Sequence, residues 1–293
     1  MTETPGDLRR TLGFTDLVMI TLGAVIGSGI FLVPGVVLRE TQGRVGLALS
    51  VWFIAGVLSL LGAFTYAELG AMNPDAGGLY TYIRDAFGPL PAFLYGWASF
   101  FVISSGSIAA LSAAFSSYLG QITTLSPTGA KAVSLLVIVI IAVVNVAGTR
   151  RSATMQNWTT GAKVLGLLVL SVLMIALGRG ARHATAVLQP TSTFSLLPGI
   201  GVAMIGVLWA YEGWQYVTFS AGETRDPQRV FPRAIVVATS ALIVLYLLAN
   251  LGYLSALGPV AASHSDHIAA DAIRAVLGPT SGSLLSALVL VSI

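Results

Sequence analysis

Long apolar runs recur along the whole chain, and nothing else limits its choice of folds so sharply. They cover residues 14–37, 45–69, 90–119, 132–146, 155–177, 196–221 and 234–257. A hydrocarbon core about 30 Å thick takes roughly 20 apolar helical residues to cross. Backbone N–H and C=O groups find no water there, so a spanning segment of this kind must satisfy them within a helix. The runs predict an all-α polytopic membrane protein with seven full transmembrane helices. An eighth run opens near Ser281 and is still apolar at Ile293. As a helix it would rise only ~20 Å, too little to cross, so the chain reads as cut off inside a span. Only 9% of its 293 residues are charged and the mean hydropathy is +0.85, whereas soluble domains run near 25% charged.

Several function classes drop out on composition. There is no cysteine, which excludes disulfides, thiolate metal sites, cysteine nucleophiles and any disulfide-linked partner. A net charge of +3, scattered along the chain, makes no footprint for nucleic acid. His264 and His267, with Asp266 and Asp271, read as a solvated loop rather than a metal site. No Ser/His/Asp constellation and no ring of filter carbonyls lies in the spans, so neither an enzyme nor a channel is expected, and no cofactor. Dense arginine clusters at Arg9–Arg10, Arg150–Arg151 and Arg225 to Arg233 fall on one side and put the N-terminus in the cytoplasm of a plasma (inner) membrane protein. Residues 73–78 and 222–232 then form cytoplasmic turns. Residues 178–190 and 258–279 are outer connections, the second holding a short surface helix over 267–277.

Inside the first run sits GAVIGSGIF, residues 23–31. Gly23, Gly27 and Gly29 each weaken a helix by about 1 kcal/mol relative to Ala. The bland explanation is a small-residue packing face between helices. A second anomaly favours another: GVLWAYEGWQYV, residues 206–217, places Glu212 and Gly213 in the middle of the sixth run. A carboxylate at that depth costs at least ~2.5 kcal/mol on insertion scales, so it needs a cavity or an ion-pair partner. The first and sixth runs each open a set of five, and matched breaks in two halves point to an inverted-repeat transporter. Unwinding at Gly27-Ser28-Gly29 frees N–H groups at the positive end of a half-helix, ready for a carboxylate. Unwinding near Glu212 frees carbonyls beside a carboxylate, ready for an ammonium. The two together suit a zwitterion, an amino acid.

These stretches, with 66–88, 145–168 and 210–235, resemble the amino acid–polyamine–organocation superfamily, and within it the L-type amino acid transporters and their bacterial relatives. The resemblance implies a LeuT-like five-plus-five inverted repeat, with 14–177 as the first repeat and 196–293 as an incomplete second, in a single transporter domain over 1–293. It implies that Gly27, Ser28 and Gly29 grip the substrate carboxylate and that Val25 lines the same pocket. By the same likeness Trp209 covers the substrate as a thin gate, and Ala210, Glu212 and Gly213 form the unwound sixth helix by its amino group. Glu212 stands where other members have Gly, which leaves neutral and cationic substrates both open.

Lys163, one of two lysines, lies within the fifth run. On depth alone, about 12 Å beyond Met155, its ammonium could snorkel to the headgroups or serve a function. The resemblance matches it to a lysine that takes the place of Na⁺, implying sodium independence. If it releases a proton in the cycle the carrier is a symporter; if it stays charged, amino acid exchange is favoured. The expectation is sodium-independent secondary transport of amino acids by alternating access in the lipid bilayer, with proton coupling open and residues 1–293 alone inactive. The alternatives are a polyamine or organic-cation carrier, and a non-transporting remnant.

Overall fold

The structure is a computed structural model that describes residues 9–74, 76–120, 123–180, 196–265, 267–278, 281 and 290. The eighth run therefore lies almost wholly outside the described residues, as does most of the connection 178–190. In chain order the helices are α1 Phe14–Val25, α2 Gly29–Glu40, α3 Val45–Met72, α4 Leu79–Phe87, α5 Pro89–Ala98, α6 Ser105–Gly120, α7 Pro127–Val146, α8 Thr149–Leu177, α9 Leu197–Ala210, α10 Pro227–His264 and α11 Ile268–Leu277. A π-helical turn, Ser99–Ser104, joins α5 to α6, and a 3-10 stretch, Trp214–Glu223, follows α9. Among the described residues there is no strand, only an isolated bridge between Leu12 and Thr224.

Five helical segments are long and apolar enough to cross a membrane: α3, Pro89–Gly120, α7, α8 and α10. The interrupted pair α1 and α2 makes a sixth if counted as one span. The sixth expected span is not one helix, because α9 stops at Ala210 and the chain continues as a 3-10 stretch. The helix starts follow local chemistry. At α7, Ser126 Oγ accepts the Gly129 N–H at 3.1 Å and Pro127 takes the first helical position, where a missing N–H costs nothing.

Two sequence expectations shift. Helix α8 begins at Thr149, not Met155, because its polar first turns find polar partners and need no apolar surroundings. Small polar residues also join α6 to α7, where Ser134 Oγ donates to Ser112 O (2.9 Å) and Ser116 Oγ (3.0 Å). Helix α11 is half-buried: Ile268, Ala269, Ala272 and Ile273 turn inward, and the helix packs against α2.

The chain forms two compact units. Unit one comprises the described parts of Met1–Ala24, Gly62–Trp158 and Gly213–Ala238, with a core that includes Leu17, Ala67, Val217, Phe231 and Ile235. Unit two comprises the described parts of Val25–Leu61, Thr159–Glu212 and Thr239–Ile293. In it α2 packs along α9, and Trp52, Tyr211, Tyr246 and Tyr253 are its largest fully buried side chains.

Candidate substrate site

The two breaks read from the sequence are both present. Residues 26–28 separate α1 from α2. The Gly27 N–H turns back to Val25 O at 2.9 Å, and Phe31 N–H reaches Ser28 O at 3.1 Å. Helix α2 opens at Gly29 with Ser28 at its cap position, and no side chain caps it. An uncapped helix start leaves N–H donors and the positive end of the dipole to whatever binds there. Ser28 is exposed, while Val25, Ile26 and Gly29 are buried.

The second break follows Ala210. Tyr211 N–H still reaches Val207 O at 3.0 Å and Glu212 N–H reaches Trp209 O at 3.2 Å, after which the α-helix ends. Gly213 has φ 127°, a conformation that a Cβ would strain, so a glycine belongs at this turn. Glu212 is exposed on the turn; Trp209, at the end of α9, is 57% exposed.

Within unit two the breaks meet. A Cβ added at Gly29 would stand 2.8 Å from Ala210 Cβ, 2.9 Å from its Cα and 3.6 Å from the Trp209 ring. No residue but glycine allows that approach without a shift. Val25 O and Ala210 O also share one donor, the Tyr246 hydroxyl on α10, at 3.0 and 3.2 Å. Tyr246 is fully buried, edge-on to Trp52 with ring centroids 5.7 Å apart and 5.0 Å from Tyr211. Val25, Gly29, Trp209 and Ala210 are therefore gathered, with Gly27, Ser28 and Glu212 adjoining in the chain. Gly213 is assigned to unit one. Tyr246 was not singled out by sequence. A tyrosine in an apolar span was its signal, since a phenol buried in hydrocarbon usually finds a hydrogen-bond partner.

Lys163 stands midway between the ends of α8, about 20 Å along the axis from either. It is only 9% exposed. The deeper position follows from the earlier helix start, and burial disfavours a side chain stretched out to water.

Unit one carries a polar cluster that the sequence did not announce. Asp16 accepts from Gly13 N–H (2.9 Å), Arg150 Nη1 (2.9 Å) and Asn157 Nδ2 (2.6 Å). Thr149 Oγ1 donates to Glu223 Oε1 at 2.6 Å. The segment before α1 is strapped alongside: Thr11 and Leu12 N–H donate to Glu223 O, and Arg225 N–H donates to Leu12 O. Among the described residues, no three His, Cys, Asp or Glu are placed to hold a metal.

Comparison with known proteins shows the family of the chain. Residues 12–293 match the family described as amino acid permease. The chain belongs to that family. It is 32% identical over 283 residues to the b(0,+)-type amino acid transporter 1 of Mus musculus, covering 94% of this chain and 57% of the relative. It is 29% identical over 288 residues to the serine/threonine exchanger SteT of Bacillus subtilis, covering 98% and 64%. The human cystine/glutamate transporter matches at 31% over 287 residues, covering 94% and 56%. The chain thus spans less than two thirds of the length of these relatives. Family and relatives are transporters, not enzymes, and with its apolar helices the chain is an integral membrane protein.

Proposed function

We propose that the protein is a sodium-independent secondary transporter of amino acids, working by alternating access in the plasma membrane with its N-terminus in the cytoplasm. The observation that carries this is the meeting of the two breaks, Gly29 against Ala210 with one hydroxyl bridging Val25 O and Ala210 O. The uncapped start of α2 at Ser28 and Gly29 supplies donors for a carboxylate. The end of α9, with Ala210 and Glu212, supplies acceptors for an ammonium. Val25 and Gly27 wall the pocket, Trp209 covers it, and Gly213 makes the turn that stops the helix. Lys163 is the fixed cation that takes the place of sodium. The helices would follow a five-plus-five inverted repeat, 14–177 and 196–293, whose halves rock about the site.

One relative's name supports exchange, since it is a serine/threonine exchanger. The test is uptake of labelled amino acid into proteoliposomes holding the product of the whole reading frame. Uptake should accelerate when unlabelled amino acid is loaded inside and should ignore replacement of Na⁺ by choline. Uptake that follows a pH gradient instead selects proton symport. Stronger competition by putrescine or agmatine than by neutral amino acids would replace the amino acid reading with a polyamine carrier. A strict Na⁺ requirement would refute the role given to Lys163.

A further inference from the structure

A cavity lies wholly within unit one, with a volume of about 490 Å³. That is in the range of small-molecule sites. Leu12, Ile20, Ala24 and Ala153 make an apolar wall, and Asn145, Thr149, Ser152, Gln156, Ser220 and Glu223 a polar one. None of the residues assigned above to the substrate lines it.

Its electrostatics have one sign. The lining contains one carboxylate and no Lys, Arg or His. Arg150, the residue beside Thr149, points its guanidinium to Asp16. Most of the polar wall is already engaged: Ser152 Oγ donates to Asn145 Oδ1 at 2.8 Å, and Asn145 Nδ2 donates to Ile141 O at 2.9 Å. Glu223 differs. Thr149 holds its Oε1, while no hydrogen bond from the described residues reaches its Oε2. A half-satisfied carboxylate over a cavity of mixed polarity calls for a compact donor.

We propose that this cavity binds a primary ammonium group, with Glu223 as its charged acceptor. The apolar wall accommodates the short carbon chain that carries the amine. An amino acid and a simple diamine share this group, and both are candidates. The site does not depend on which substrate the first site takes.

The absence of cysteine gives a clean test. In the detergent-purified chain, Ser152→Cys or Ser220→Cys introduces the only thiol, and its alkylation by N-ethylmaleimide reports access to the cavity. Methylammonium, L-alanine and putrescine are the probes. Methylammonium has no carboxylate, so protection by it does not come from zwitterion binding elsewhere. It should slow alkylation at both reporters, and Glu223→Gln should raise the half-protecting concentration at least tenfold. Thr149→Val removes the internal hydrogen bond but keeps the carboxylate, and should preserve protection. Whichever of L-alanine and putrescine protects at the lower concentration names the natural source of the amine. Alkylation indifferent to all three probes overturns the proposal. So does protection that survives Glu223→Gln, or that Thr149→Val abolishes equally, since the carboxylate would then be only a structural acceptor.

Discussion

Gly27 and Gly29 are two positions apart and face opposite demands. At Gly27 an added Cβ meets no atom within 4 Å, whereas at Gly29 it strikes the backbone and Cβ of Ala210. Gly29→Ala must push α2 and α9 apart, and overpacking of that kind costs about 1–3 kcal/mol. Substrate affinity should therefore fall roughly tenfold or more, with a lower thermal midpoint, while Gly27→Ala leaves that midpoint near wild type. Scanning fluorimetry and equilibrium binding read both, and equal thermal losses for the two variants would remove the close approach as their cause. Tyr246→Phe probes the same junction from α10. It keeps the ring packed between Trp52 and Tyr211 but leaves Val25 O and Ala210 O without their shared donor. Val25 O keeps the Gly27 N–H, so Ala210 O is the group left unpaired, and an unpaired buried group costs about 1–3 kcal/mol. Affinity should drop by about tenfold with the fold intact; unchanged affinity would make the phenol mere packing.

At the scale of elements, the polar start of α8 shows what apolarity hides. The stretch 149–154 is too polar to be read as part of a span, yet it is helical because Thr149 and Arg150, with Asn157 a turn beyond, satisfy Glu223 and Asp16 within unit one. Such pairings join positions more than 70 and 130 residues apart in sequence, so no local pattern could announce them. The breaks were legible for the opposite reason: Gly27, Gly29 and Gly213 violate helix propensity locally, and a violation inside an apolar run is visible without knowing any partner. Tyr246 was hidden because the same run also holds Tyr253, and nothing local tells which of the two phenols meets a partner. The Asp16–Arg150 pair has one buried and one mostly exposed member, with side-chain exposures of 8% and 60%. A double-mutant cycle of Asp16→Asn and Arg150→Gln should give a coupling of about 1 kcal/mol in thermal stability. Asp16→Asn alone should cost more than Arg150→Gln alone, because Asp16 also serves Gly13 and Asn157. Equal single effects with no coupling would mean that the pair is incidental.

For the whole molecule the deciding residue is Lys163. A lysine halfway along a membrane helix and 9% exposed is costly to insert, so a chain that keeps it gains something that a neutral side chain would not supply. Lys163→Met preserves much of the volume and removes the charge, while Lys163→Arg preserves the charge and enlarges the head. If a fixed cation organises the transport cycle, Met should reduce uptake by at least about tenfold at saturating substrate, and adding Na⁺ should not restore it. If Lys163 instead carries the coupled proton, Met should abolish uptake driven by a pH gradient and spare exchange between equal amino acid pools. The two outcomes separate in one set of proteoliposomes, by comparing gradient-driven uptake with exchange. Arg should retain part of the activity in the first case, since its charge does not titrate, and none of the gradient-driven uptake in the second. Near-normal rates for Met in both assays would show that the ammonium reaches headgroups after all, and the proposed sodium independence would lose its structural support.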